Sequence, residues 1–149
     1  MLYYNITLFD AMSQKIMTIT KLSASNLKVL ALLQRAAKPL SAYDILDKLR
    51  RHGLRSPPTV YRALDYLTKH GLAHRIESLN AFVACHHHHD DHYEHMSQFA
   101  ICTACGQVQE IEDEVLPRAL SKLNQQFLKQ VHHKVLEISG ICGDCSGGA

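Results

Sequence analysis

Two Cys-x-x-Cys pairs, separated by 36 residues, constrain the structure of this 149-residue chain more than any other feature of its sequence. The first pair is Cys102 and Cys105, and the second is Cys142 and Cys145. A two-residue spacing lets both sulfurs of a tight turn face one point, which is half of a tetrahedral zinc site. Because the pairs lie far apart in sequence, a strand, a helix and a strand must bring them together. We therefore predict a structural zinc ion held by four thiolates.

A redox-active pair, or thiols with no shared role, would be the alternative interpretation of these cysteines. A thioredoxin-like site would need a single Cys-x-x-Cys between a strand and a helix, whereas this chain has two pairs. Residues 1–20 lack the positive start and apolar block of a secretory signal, so the cytoplasm is the expected location. The sequence has no run of about 18 uncharged apolar residues, so no membrane-spanning helix is predicted. Paired cysteines in such a chain favour metal over disulfides.

Charge is divided unevenly along the chain. Residues 21–75 contain eleven basic residues against three acidic ones, whereas residues 76–149 contain four basic residues against ten acidic ones. This division favours a polyanion as partner of the first half and cation binding by the second. Two solvated surfaces of opposite sign would give the same pattern.

Apolar periodicity predicts three helices in the basic half. The first covers 25–36 and stops before Pro39, and the second begins at SAYD (41–44), where the serine can cap a free N–H. The third begins at SPPT (56–59), since proline loses no hydrogen bond in the first turn of a helix. The expected apolar stripes are Leu27, Leu30, Leu32 and Leu33; Ala42, Ile45, Leu46 and Leu49; and Val60, Leu64 and Leu67.

Strand-like runs over 72–76 and 81–85 follow the third helix, separated by a turn. Three helices and a hairpin in this order are typical of a winged helix-turn-helix. We therefore predict a winged-helix DNA-binding domain over 1–85, in which residues 1–20 are assigned no function.

The composition becomes rich in histidine after position 85, which marks a hinge and metal-binding segment over 86–97. Beyond it, we predict strands over 98–101, 107–111 and 134–139 and a helix over 113–130. These elements form an α/β zinc-binding domain over 98–149. The fold class of the whole chain is thus α+β.

A second metal site is indicated by histidines, since seven of the eleven lie between positions 74 and 95. One thiolate, two imidazoles and a carboxylate make a four-coordinate zinc set, and the thiolate disfavours manganese. The favoured ligands are His74, Cys85, His95 and Glu110, although spacing does not distinguish His95 from His92 or His88. A solvated histidine tract that binds metal weakly is the alternative.

A third metal-binding set is equally well explained as surface histidines. Its candidate ligands are His86, His88, His92, Glu94, His132 and His133.

Several segments resemble the ferric uptake regulator family, in its zinc uptake regulator branch. The likeness covers residues 25–146, with the motifs in the family's order. They are SAYDIL (41–46), PTVYRALDYL (58–67), HRIESLNAFVACH (74–86), FAICTACGQVQE (99–110) and ICGDC (141–145).

The resemblance implies a homodimer with winged-helix domains outside and the α/β domain, 98–149, as a central dimerisation domain. It implies that 58–70 is the recognition helix, with Arg62 reaching base edges and Tyr43 of the preceding helix assisting. Other candidate DNA contacts are Thr59 and Tyr61, with Lys48, Arg51 and Arg55 expected at phosphates.

The resemblance also assigns the regulatory zinc to His74, Cys85, His95 and Glu110, and iron-responding relatives usually lack a thiolate at the position of Cys85. It implies a repressor that binds double-stranded operator DNA and silences zinc-uptake genes, with two or more Zn²⁺ per chain and no small-molecule substrate. The histidine run over 86–92 is longer than in close relatives, which leaves the third regulatory ligand open.

Other functions compete with this interpretation. A sensor of iron, manganese or peroxide on the same fold is the nearest, with Cys85 as the reactive sulfur of a peroxide sensor. A constitutive DNA-binding module that stores metal in its histidines is another. A zinc-dependent enzyme is disfavoured because HYE (92–94) before a Cys-x-x-Cys resembles zinc deaminases only faintly. Ile101 stands where their proline would be, and the second cysteine pair would have no role.

Overall fold

A computed structural model of the chain describes residues 22–85, 96–111, 113, 115–124 and 134–147, without the side chains of 121–124. Contacts between residues divide the chain into two compact units, 1–91 and 92–149. Residues 1–20 and most of the segment 86–97 lie outside the described residues, so the predictions made for them are not tested by the structure. The predicted domain boundaries therefore stay predictions.

The first unit begins with three helices at the predicted places. They are α1 (Ala24–Arg35), α2 (Ala42–Leu49) and α3 (Pro57–Lys69), with a short 3-10 turn at Arg50–His52. The predicted cap of α2 is confirmed as a reciprocal pair: the Ser41 Oγ accepts from the Asp44 N–H at 3.1 Å, and Asp44 accepts from the Ser41 N–H at 2.9 Å. These bonds satisfy backbone donors that a helix start would leave unpaired.

The core of this unit is formed by the apolar faces of the three helices. Val29, Ile45 and Val60 are fully buried, as are Leu64 and Leu67. The expected stripe of α1 was wrong at Leu27 and missed Val29.

Leu27 is 42% exposed, whereas Val29, Leu30 and Leu33 are buried. A helix turns about 100° per residue, so the face shared by positions 29, 30 and 33 points away from position 27.

A β-hairpin follows α3, with β1 (Ala73–Ile76) antiparallel to β2 (Ala81–Ala84). The turn closes at Asn80, whose φ of 46° is in the left-handed region that asparagine tolerates. Leu40, before α2, exchanges backbone hydrogen bonds of 2.8 and 3.0 Å with Phe82. This short bridge anchors the hairpin and completes a winged helix-turn-helix.

The second unit contains a three-stranded sheet in the order β4-β3-β5. Its strands are β3 (Met96–Cys102), β4 (Val108–Glu110) and β5 (Lys134–Gly140), with β4 antiparallel and β5 parallel to β3. Phe99, at the middle of β3, is fully buried. A parallel neighbour needs a crossover connection, and α4 (Val115–Asn124) lies in it.

The start of the helix in this crossover differs from the expectation of residue 113. The helix begins at Val115 because Asp113 caps it, accepting from the N–H groups of Val115 and Leu116 at 3.0 and 3.3 Å. Residues 125–130 of the predicted helix lie outside the described residues. A four-residue helix, α5 (Gly143–Ser146), was not predicted, since it is too short to show a period.

Within the described ranges, no helix combines the length and apolar character needed to cross a membrane.

Candidate metal centre and nucleic-acid interface

The two cysteine pairs meet at one edge of the sheet in the second unit. Cys102 is the last residue of β3, and Cys142 follows the end of β5 by two residues. Because β3 and β5 are parallel, with Cys102 opposite Gly140, both strands deliver their cysteine turns to the same edge. The strand-helix-strand connection predicted from the spacing is therefore present.

Each cysteine turn is fixed by backbone hydrogen bonds. In the first turn, the Gly106 N–H donates to the Cys102 carbonyl at 2.9 Å, and Gly106 has a φ of 74°. Among the described residues, no atom beyond its two chain neighbours lies within 4 Å of where a Cβ of residue 106 would be, so the left-handed backbone, not lack of space, favours glycine. The Thr103 N–H donates to the Gly140 carbonyl at 2.8 Å, which ties this turn to the end of β5.

The four sulfurs lie at the separations of a tetrahedral site. All lie within 4.8 Å of one another, and the Sγ atoms of Cys105 and Cys142 are 3.9 Å apart. Four sulfurs at about 2.3 Å from one zinc ion would be about 3.8 Å apart, whereas a disulfide requires about 2.05 Å. No disulfide joins these cysteines. The donor set therefore fits a structural zinc ion.

The electrostatics of the cluster differ between its sulfurs. Hydrogen bonds from the backbone N–H groups of Cys105 and Cys142 lower the pKa of Cys102 to about 6. Hydrogen bonds with the sulfurs of Cys142 and Cys105 raise the pKa of Cys145 to about 12. The backbone donors around Cys102 thus favour its thiolate, which is the form that binds zinc.

A second pair of potential ligands lies in the hairpin of the first unit. His74 is half-buried in β1, and Cys85 is buried directly after β2. The Cys85 N–H donates to the Leu72 carbonyl at 3.0 Å, which extends the pairing of the two strands. A ring nitrogen of His74 and the Cys85 sulfur lie within 4.8 Å of each other. The hairpin therefore places an imidazole beside a thiol.

The other predicted ligands belong to the part of the chain after position 85. Glu110 is half-buried at the end of β4, opposite Phe99 of β3. The remaining candidates lie outside the described residues; they are His86, His88, His92, Glu94, His95, His132 and His133.

The predicted DNA-contacting residues are exposed, except Thr59, which is half-buried. Tyr43, on α2, is 69% exposed, and Tyr61, on α3, is 45% exposed. The Arg62 Nε donates to the Pro58 carbonyl one turn earlier, at 3.3 Å. The predicted phosphate contacts, Lys48, Arg51 and Arg55, are also exposed.

Arg50 was not among the predicted DNA-contacting residues. It lines a cleft with Arg51 and Arg55. The signal in the sequence was the Arg-Arg pair directly after the apolar stripe of α2.

Comparison with known proteins identifies relatives over most of the chain. The model of the Ferric uptake regulator family matches residues 18–139. The Zinc uptake regulation protein of Escherichia coli (strain K12) is 38% identical over 126 residues, which cover 84% of this chain and 72% of that protein.

Solved structures give the same relationship. The holo form of XcZur is 38% identical with a TM-score of 0.76, and the match covers 85% of this chain and 87% of that chain. A zinc uptake regulator in complex with zinc and DNA is 34% identical with a TM-score of 0.79, and the match covers 95% of this chain and 96% of that chain.

Proposed function

We propose that this chain, which belongs to the ferric uptake regulator family, is a zinc-sensing repressor that binds double-stranded operator DNA as a homodimer. One observation carries the proposal: a histidine and a cysteine, His74 and Cys85, lie side by side in the wing of the DNA-binding unit. A thiolate beside an imidazole is a donor set that suits zinc better than manganese.

The relatives support this assignment. The structure with a TM-score of 0.79 is a zinc uptake regulator in complex with zinc and DNA, and the Escherichia coli relative is a zinc uptake regulation protein. We therefore propose two or more zinc ions per chain, one held by Cys102, Cys105, Cys142 and Cys145. Expected targets are zinc-uptake genes, since a repressor active when zinc is plentiful would silence import.

For the regulatory ion we propose His74, Cys85, His95 and Glu110 as ligands. When bound, zinc supplies a positive centre that holds its ligands in one geometry. His74 and Cys85 would connect the wing to the zinc ion, because the hairpin pairing fixes the positions of both residues. If the chain binds DNA only in the state that assembles all four ligands, zinc favours that state. Operator DNA must then tighten zinc binding by the same factor.

The homodimer is supported by apolar side chains on the second unit. Val115, Ile138 and Ile141 are 74%, 52% and 57% exposed. Burial of these side chains against another surface would be favourable. A second copy of the chain is the partner we propose.

A peroxide sensor that uses Cys85 is less well supported. Only 7% of Cys85 is exposed, whereas reactive cysteines lie in partly exposed, electropositive surroundings. An enzymatic function is also not proposed, because the family is one of transcription regulators.

The test is DNA binding to a candidate zinc-uptake promoter at buffered free zinc, with iron and manganese in parallel. The expected result is binding that zinc alone switches on, with at least two zinc ions per chain. Binding that ignores zinc or responds more strongly to another metal would leave only the structural zinc site. Release of DNA by mild oxidation at constant zinc would instead favour the peroxide sensor.

A further inference from the structure

The four thiolates of the cysteine site bring more negative charge than one Zn²⁺ ion neutralises. Hydrogen bonds from N–H groups to the sulfurs disperse this excess, and such donors behind metal ligands change metal affinity by a factor of about 10 to 100. Backbone N–H groups of Ala104, Cys105 and Cys142 donate to the sulfur of Cys102. The sulfur of Cys105 lies beside a side-chain amide, that of Gln107.

The turn that carries the first cysteine pair also places Gln107. The backbone carbonyl of Gln107 accepts from the Cys102 N–H at 2.9 Å, directly after the left-handed Gly106. The Cys105 Sγ and the Gln107 Oε1 are 3.7 Å apart, which is within hydrogen-bonding distance for sulfur. Gln107 is exposed and Cys105 is half-buried, so this contact lies at the surface of the cluster.

The protonation state of Cys105 decides which end of the amide can face it. A thiol donates to the Gln107 Oε1, which is the contact in the structure. Zinc binds the thiolate, which can only accept, and a carbonyl oxygen beside a thiolate is repelled. A half-turn about the last side-chain bond of Gln107 exchanges Oε1 and Nε2, so that an N–H group points to the sulfur. This exchange needs no movement of the backbone.

We propose that Gln107 is a positioning residue of the four-cysteine site: its side-chain amide donates a hydrogen bond to the zinc-bound Cys105 thiolate and slows the loss of zinc. The proposal rests on the zinc site of the proposed function and concerns the retention of that ion. A zinc sensor must release its regulatory ion when zinc is scarce and still keep the ion that stabilises its fold. A hydrogen-bond donor at Cys105 increases this difference in lability.

Release of zinc to an excess of a chromogenic chelator tests this role in the full-length, zinc-loaded protein. The wild type should release zinc in two phases, and the Cys85→Ser variant, which lacks a regulatory ligand, identifies the slow phase as the four-cysteine site. Q107L removes the donor and should speed the slow phase about tenfold. Q107E cannot donate and adds negative charge, so it should speed this phase at least as much. Q109L and Q109E make the same changes at an exposed glutamine of β4 and should release zinc as the wild type does.

Cobalt substitution separates a hydrogen bond to sulfur from general support of the turn. In the Co²⁺-loaded protein, loss of an N–H donor should move the sulfur-to-cobalt absorption band to longer wavelength, because the sulfur electrons are then less stabilised. Q107L should show this shift, and Q109L should not.

Two results would overturn the role of Gln107. Release from Q107L at the wild-type rate would mean that the amide does not act on the ion. Faster release with an unchanged cobalt band would mean that it acts through the turn alone. A wild type without a slowly released zinc ion would instead refute the zinc site of the proposed function.

Discussion

The backbone N–H of Cys142 donates a hydrogen bond to the Sγ of Cys102, across 3.3 Å and between the two cysteine turns. This bond explains part of the lowered pKa of Cys102, because an N–H donor stabilises the thiolate more than the thiol. The two cysteine turns are therefore linked by a hydrogen bond within the protein, in addition to any metal ion that they hold.

Replacing Cys102 by Ser is expected to remove the structural zinc and to unfold the second unit. Zinc binding at four thiolates is folding free energy, so a chain that lacks one ligand loses that contribution. Zinc content and circular dichroism of purified protein would measure both effects. Retention of one tightly bound zinc with native dichroism would show that the cluster is not the structural site.

Replacing Cys85 by Ser is expected to abolish zinc-dependent DNA binding while the fold and the structural zinc are retained. The thiolate beside His74 is lost, but the hydrogen bond of residue 85 to Leu72 uses the backbone and survives. Zinc per chain should fall by one, and the oligomeric state should not change. A variant that still responds to zinc as the wild type does would remove Cys85 from the regulatory site.

Replacing Arg62 by Ala is expected to cost about 1–3 kcal/mol of operator binding and to relax base preference, if its guanidinium contacts a guanine. Replacing Lys48 should weaken binding to all sequences instead and flatten the salt dependence. Affinities for operator and scrambled DNA at several salt concentrations separate the two effects. An equal loss on both DNAs for the Arg62 variant would place its contact at phosphate.

Replacing Gln98 by Leu is expected to destabilise the second unit by about 1–3 kcal/mol. Gln98 is 4% exposed, and its side-chain N–H donates to the backbone carbonyl of Asp113 at 2.8 Å. The backbone carbonyl of Gln98 accepts from the Ile111 N–H, also at 2.8 Å. The substitution removes the donor to Asp113, the residue that caps α4. Denaturant unfolding measures the change, with the exposed Gln109→Leu as control. Equal stability of the two variants would mean that this hydrogen bond contributes nothing net.

Hydrogen bonds from the Ser41 side chain and backbone hold the pKa of Asp44 below the usual value of an aspartate. A folded-state pKa below the unfolded value stabilises the protein above the unfolded pKa, and this contribution disappears as pH falls through the folded pKa. In the Ser41→Ala variant, the Asp44 pKa measured by carboxyl NMR should therefore rise toward the usual value of an aspartate. The lost cap should cost about 1 kcal/mol at neutral pH. An unchanged Asp44 pKa would contradict this account of the cap.

The residue pattern by itself determined the four-cysteine zinc set, the starts of α2 and α3 and the order of elements. Two cysteine pairs, a serine three residues before an aspartate and the spacing of Ile45, Leu46 and Leu49 act over a few positions, so their consequences follow from local geometry. The existence of α5 did not follow, since a four-residue helix is too short to show a period. Leu27 shows the same limit, because which side of a helix is buried depends on what packs against it.

Only the tertiary structure decided what lies together over long sequence separations. The parallel pairing of β3 and β5 brings Cys105 and Cys142 to 3.9 Å, and the register of the hairpin places His74 beside Cys85. The spacing of residues along the chain indicates which side chains could serve as metal ligands. The pairing of strands and the packing of helices decide which of them meet, because those contacts join residues that the sequence keeps apart.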